Sequence, residues 1–240
     1  MRQFVGPIPS RISKLPRDKR GFPVPWFVEW IDGEPSFPVM DPDKFRQAVT
    51  FNRCWVCGGP LSACKAFVIG PMCVVNRVTA EPPSHLDCAR FAALNCPFLA
   101  NPRVGRQLGG DEVIKRGGKV AGIMIERNPG VTCIWVAKSY KLQRLDNGIL
   151  FRIGPAEQVS FYAKGRPATR AEVNESIRTG LPLLQDMAAK DDVHNGDRGA
   201  TRALQLQIDA MQMLLDSLTW PPGDDVDLSA MGFADEEARP

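Results

Sequence analysis

The chain of 240 residues has only two histidines and two tyrosines, and no run of about 18 apolar residues. The missing apolar run predicts that nothing spans a membrane. The opening MRQFVGPIPS has no apolar stretch before a small-residue cleavage site, so no secretory signal is expected. G-x-S-x-G, P-loop and Rossmann patterns are missing, which removes the commonest hydrolase, nucleotide and dinucleotide signatures. Gly109-Gly110 and Gly117-Gly118 lack the strand-to-helix context of a phosphate cradle. The Asp-rich stretch at 224–227 lacks the Gly and terminal Glu of a calcium loop. The scarcity of histidine limits acid–base chemistry: besides His85 there is only His194, in a stretch that reads as a linker.

What is present is cysteine, and it is unevenly placed. Seven cysteines is an odd count, unlike a secreted disulfide framework, and points to a reducing, cytoplasmic setting. Cys54-x-x-Cys57-Gly58-Gly59 is followed by His85-x-x-Cys88. Three thiolates and one imidazole suit tetrahedral zinc. The two-residue spacing lets a tight turn aim both thiolates at one point, and the two glycines allow positive φ there. Pro82-Pro83-Ser84 precedes a helical run, Leu86 to Asn95, with Ser84 as the expected N-cap and Asp87 at N3. His85 and Cys88 then share one face of the first turn. Cys54, Cys57, His85 and Cys88 are the metal-ligand set, holding one structural Zn2+. Cys96 lies two turns beyond Cys88, too far to share the metal. Cys64, Cys73 and Cys133 read as small core hydrophobes.

Four protein ligands leave no place for a metal-bound water, so no catalytic residue is assigned and a binding protein is favoured over an enzyme. The deaminase pattern fails too: His85-Leu86-Asp87 follows the CxxC, which lacks a preceding Pro. A metal-dependent nuclease would need a second histidine as base, and remains the second alternative.

Between the ligand pairs, Ala66–Ile69 and Cys73–Asn76 flank Gly70-Pro71, which reads as a hairpin. The order knuckle, hairpin, helix resembles the treble-clef zinc finger group over about residues 53–97. Treble clefs host DNA-binding, nuclease, ribosomal and protein-binding roles, so the resemblance implies a fold more than an activity. The segments CWVCGGPL (54–61), FVIGPMCVVNRV (67–78), EPPSHLDCARFAALNCPFLANPR (81–103), GIMIERNPGV (122–131) and GRPATRAEV (165–173) resemble uncharacterised phage and prophage proteins. That resemblance implies a mobile-element protein and carries no activity.

The remaining chain reads as α+β: the zinc module joined to a small antiparallel sheet and C-terminal helices. Residues 1–25 form a basic, Pro-rich extended arm. Residues 26–100 hold a hairpin, Trp26–Ile31 with Phe37–Met40, then a helix over 42–51 capped by Asp41, and the zinc module. A Gly-rich basic loop occupies 101–119. The sheet and helices of 120–189 begin with strands near 120–126, 131–138, 148–153 and 157–163. Thr169-x-x-Glu172 is a capping box for a helix that Gly180 ends, and Pro182 starts another. Residues 190–220 comprise a linker (190–199) and an amphipathic helix striped by Leu204, Ile208, Met211, Leu215 and Leu218. An acidic tail fills 221–240.

Charge is split. Residues 1–190 carry 27 Lys+Arg against 16 Asp+Glu, a net +11, and residues 191–240 carry 3 against 11, a net −8. A basic body suits nucleic acid or an acidic protein surface. The nucleic-acid candidates are Arg11, Lys14, Arg17, Lys19 and Arg20 in the arm, and Arg103, Arg106, Lys115, Arg116 and Lys119 in the loop. Lys138, Lys141 and Arg144 add to them, and Trp135 or Tyr140 offers a stacking ring. The alternative is a protein-interaction module, an inhibitor or accessory factor with its partner at the C-terminal helix through Met211 and Met213.

Overall fold

Six residues, Thr132–Ala137 (TCIWVA), are buried without alternation, the pattern of a strand covered on both faces. In the computed structural model, which describes residues 3–100 and 129–221, this strand is β5. Numbered along the chain, the preceding strands are β1 (Val28–Ile31), β2 (Glu34–Met40), β3 (Lys65–Ile69) and β4 (Val78–Thr79). The later ones are β6 (Tyr140–Leu145), β7 (Gly148–Ile153), β8 (Gln158–Ala163) and β9 (Arg166–Pro167). The helices are α1 (Ser10–Ser13), α2 (Pro42–Phe51), α3 (Pro71–Asn76), α4 (Leu86–Asn95), α5 (Pro97–Ala100), α6 (Arg170–Asn195) and α7 (Gly199–Ser217).

The architecture is α+β with antiparallel pairing throughout the named strands. One sheet runs β3-β5-β8-β9, a second β4-β7-β6, and β1-β2 stand apart as a hairpin. The faces of β5 explain its burial. Cys133, Trp135 and Ala137 join Phe67, Phe161, Val173, Leu184, Met211 and Leu215 in the main core, on the side of α3, α6 and α7. Ile134 and Val136 face the other way, against Ala89, Ala93 and Leu94 of α4. Phe151 and Ile153 tie the second sheet to the main core.

Several expectations are met: the β1–β2 hairpin, and α2 with Asp41 accepting from the N–H groups of Asp43 and Lys44 at 2.9 and 3.1 Å. Others are corrected. Residues 66–76 are not a hairpin. β3 pairs with β5 (Phe67 opposite Trp135), and Gly70-Pro71 opens α3 with Pro71 at its first position. Proline at a helix start and proline in a turn look alike in sequence. The break at Gly180 and Pro182 is also absent, since α6 runs unbroken to Asn195. Val173, Ile177, Leu181, Leu184 and Ala188 keep one apolar stripe in register across it, and packing outweighs the local propensity. Gly180 has a packing role: a Cβ there would stand 2.7 Å from the Met72 sulfur of α3. The expected linker 190–199 is mostly helix. Gly196 takes φ +72° and buried Asp192 accepts from the N–H groups of Ala200 and Thr201, so the turn caps α7. The strand expected at 120–126 and nearly all of the acidic tail lie outside the described residues.

The arm is folded rather than extended. α1 inserts Ile12, 1% exposed, beneath the cysteine cluster, and Phe22 and Val24 are buried.

The capping box at Thr169 forms as expected, and Glu172 carries more than the cap. Its carboxylate also meets Lys164 at 2.9 Å and Arg166 in a two-pronged contact at 3.0 Å. Burial opposes its ionisation, but Lys164, the Thr169 N–H and Arg166 together hold its pKa below the ordinary value. A lowered folded pKa stabilises above the ordinary carboxylate range and is lost as pH falls through the folded value. Glu172→Ala is expected to cost about 1–2 kcal/mol at neutral pH. In thermal melts the gap between wild type and variant narrows at pH 3; a gap that stays constant with pH would contradict this assignment.

Candidate metal centre

Two short segments build the centre. The first is the turn Cys54–Gly59, closed by Cys54 N–H to Gly59 O at 2.7 Å and Gly58 N–H to Cys54 O at 2.8 Å. Gly58 adopts φ +72°, with Trp26 stacked so close that a Cβ would lie 2.7 Å from its ring. Arg53 donates to Gly58 O at 3.0 Å, and Arg53 and Pro60 form a β-bridge that closes the loop at its base.

The second segment is the start of α4. Here His85, not Ser84, is the N-cap residue, so Cys88 is the third helical residue. Ser84 is instead used by its backbone. Its N–H and C=O pair with Ala66 of β3 at 2.7 and 2.9 Å, tying the helix start to the sheet. The shift by one position keeps His85 and Cys88 on the same side of the first turn.

The two segments converge. One ligand atom from each of Cys54, Cys57, His85 and Cys88 lies within 4.8 Å of the others, and this quartet can hold one metal ion. His85 Nδ1 is 3.4 Å from Cys57 Sγ and 3.9 Å from Cys88 Sγ. A tetrahedral zinc with ordinary Zn–S and Zn–N bonds sets that edge at about 3.6 Å. The two His85–Cys edges therefore match a tetrahedral site closely. His85 Nε2 lies 2.9 Å from Pro60 O, a contact that places the proton on Nε2 and frees Nδ1 as the ligand. The N–H groups of Cys57 and His85 approach Cys54 Sγ at 3.5 and 3.4 Å, stabilising thiolate charge there.

The electrostatics carry the same message. Three thiols this close cannot all ionise without a cation. Hydrogen bonds from Cys57 and then Cys88 pull the Cys54 thiol far down. The bond to Cys54 pushes the Cys57 and Cys88 thiols up, and a bond with Cys54 raises His85. A bound cation releases all three thiolates together.

Around the donors lies an apolar shell of Ile12, Val56 and Phe91, with Phe4, Ile8, Leu15 and Leu61 at its edge. Arg11 bonds Asp87 at 2.7 Å, and Asp87 accepts from the Cys88 N–H at 2.9 Å, so α1 is clamped to the ligand-bearing turn. The other cysteines stay outside the quartet. Cys133 and Cys73 are packed in or against the main core, and burial pushes the Cys73 thiol up to about 11. Cys96 is half-buried at the end of α4. Cys64 is exposed, which corrects its reading as a core residue.

The other candidates are scattered. Lys19 pairs with Glu34 at 2.7 Å, and Arg20 pairs with Asp18 at 2.8 Å while lying over the Phe22 and Phe37 rings. Arg17 donates to Gly21 O, and Lys14 is exposed at the end of α1. Arg103, Arg106, Lys115, Arg116 and Lys119 lie outside the described residues. Lys138 pairs with Glu157 at 3.0 Å. The proposed stacking rings belong to the interior. Trp135 is buried and donates to Gly154 O, and half-buried Tyr140 packs on Phe67 and Phe151. Met211 is buried while Met213 is exposed. Sequence reasoning passed over Arg152, whose partner strand β6 was not assigned; the alternation of Tyr140-Lys141-Leu142-Gln143 was its available signal. No helix among the described residues is long and apolar enough to cross a membrane. Comparison with protein-family models, curated proteins and solved structures finds no match.

Gly58→Ala tests the turn. It forces positive φ on a residue with a Cβ and drives that Cβ into Trp26, at an expected cost of about 1–3 kcal/mol. Gly59→Ala serves as the control, because its Cβ would meet only ordinary contacts, the nearest at 3.5 Å. Urea denaturation in which the two variants lose equal stability would refute the account of the turn.

Proposed function

We propose that Cys54, Cys57, His85 and Cys88 hold one structural zinc ion, and that this chain is a non-enzymatic binding protein of phage or mobile-element type that engages nucleic acid. The observation that carries the reading is the closed donor set: three sulfurs and one ring nitrogen within 4.8 Å of one another. Bound zinc supplies the positive charge that lets three neighbouring thiols ionise together. The four side chains fill a tetrahedral shell and leave no position for a reacting water, which argues for a staple over a catalyst. A turn bearing two ligands followed by a helix start bearing the other two is the feature that supports a treble-clef-like module, although β3, α3 and β4 stand where a treble clef would have its hairpin. A cysteine-rich, disulfide-free chain suits a reducing cytoplasm.

Nucleic acid is the favoured partner because residues 1–190 carry 27 Lys+Arg against 16 Asp+Glu. A second reading has its own support: Leu206 and Met213 of α7 are 66% and 73% exposed, one helical face turned away from the core. They would suit a host or phage protein bound as a target of inhibition or as an accessory partner.

Elemental analysis of protein purified without chelator is expected to find one zinc per chain, lost in Cys88→Ser. Metal binding to such sites contributes about 10–16 kcal/mol, so chelation unfolds the region around α4. Metal-free protein with an unchanged melting curve would contradict the staple. In gel shifts, binding to mixed single- and double-stranded DNA is expected at low salt and falls steeply as salt rises. Absence of any shift at low salt would remove nucleic acid and leave the protein partner.

A further inference from the structure

The arm's cations are largely engaged within the chain, unlike those of the second sheet. In β4-β7-β6 the register sets Val78 opposite Arg152, and Arg152 opposite Lys141. Thr79 and Phe151, the next row, are buried and mark the inward face. Arg152, Lys141 and Gln143 therefore stand on the outward face, where both cations are exposed. The three strands contain no Asp or Glu. Arg77 just before β4 is exposed as well; Arg144 is exposed but its register places it on the opposite face, and the nearest acids in sequence, Glu81, Asp146 and Glu157, lie outside the three strands.

Two features set this patch apart from an ordinary solvated surface. Lys141 and Arg152 are directly opposed like charges, an arrangement that costs a sheet stability. A strand pair shaped for stability alone would place an acid at one of the two positions. Further, Arg152 Nε donates to Gln143 Oε1 at 2.8 Å, which holds the guanidinium along the sheet and leaves its terminal N–H groups for an acceptor outside. Lys19, Lys138, Arg170 and Arg178 on other surfaces have acidic partners.

We propose that the outward face of β4-β7-β6, centred on Lys141 and Arg152, receives the phosphodiester backbone of a nucleic acid. Phosphates neutralise the opposed pair, so the repulsion built into the free protein is relieved on binding. The inference rests on the nucleic-acid reading above and deepens it by naming the surface.

The test uses the full chain and fluorescence anisotropy with a mixed-sequence DNA oligonucleotide, single-stranded and as duplex, over a salt series. The double variant K141Q/R152Q is expected to bind about tenfold or more weakly at low salt. Its log–log salt slope should be shallower by about 1.8 on duplex or about 1.4 on single strand, the share of two phosphate contacts. Its melting temperature should hold or rise, because a repulsion is removed. Lys141→Glu gives Arg152 an opposite charge and should raise stability while weakening binding, a combination that misfolding cannot produce. A double variant with unchanged affinity and slope would overturn the surface while the nucleic-acid reading stood. Wild-type protein that binds neither oligonucleotide would overturn that reading with it. Equal binding to poly-glutamate would overturn nucleic acid in favour of an acidic polypeptide.

Discussion

The convergence of three thiols and an imidazole fixes the first turn of α4, and α4 has a neighbour on each side. Cys88 and Phe91 face the donor cluster and the folded arm. Ala89, Ala93 and Leu94 face the central sheet through Ile134 and Val136. The helix has only ten residues and no side-chain cap at its start. A helix that short is marginal alone. Its placement depends on the ligand atoms at one end and on the Ser84–Ala66 backbone pair that ties the same end to β3. α4 thus joins the donor cluster to the main sheet, alongside the Trp55–Phe45–Phe151 ring contacts that run from the ligand turn to the main core. A change at Cys88 or His85 is felt in both.

The arm shares this dependence. Ile12 fills the space beneath Cys54 and Cys88, and Arg11 reaches Asp87 within the ligand turn. The basic character of residues 11–20 is then partly structural: Arg11, Lys19 and Arg20 hold the N-terminal segment down through acids of the same chain. Such exposed pairs contribute little stability each, yet they lower the positive charge the arm can offer to a polyanion. The positive excess of the body is left more available on the second sheet, where no strand carries an acid. The donor cluster in the middle of the chain and the cationic sheet are thus separate features of the fold.

The ligand quartet was legible in the sequence because its chemistry is local: CxxC and HxxC each specify a turn, and only their meeting needed the fold. The same holds for Asp41, Thr169 and Glu172, whose caps depend on neighbours within three residues. What escaped depended on distant partners. Gly70-Pro71 reads equally as a turn or as a helix start, and the choice was made when β3 paired with β5 rather than with the next segment. Pro182 reads as a break, but the stripe from Val173 to Ala188 had a core to bury against. Trp135 and Tyr140 were plausible base-stacking rings until the strands on either side enclosed them. Lys141 and Arg152 are eleven positions apart in sequence, and only the β6–β7 register makes them opposed neighbours.

The central claim is that a four-coordinate metal, held by three sulfurs and one imidazole nitrogen, fixes this frame. X-ray absorption at the zinc edge of the purified 240-residue chain reads that coordination directly. The account predicts three sulfur scatterers at about 2.3 Å and one nitrogen at about 2.0–2.1 Å, with no water in the shell. A shell of oxygen donors, or two sulfurs with two light atoms, would contradict it.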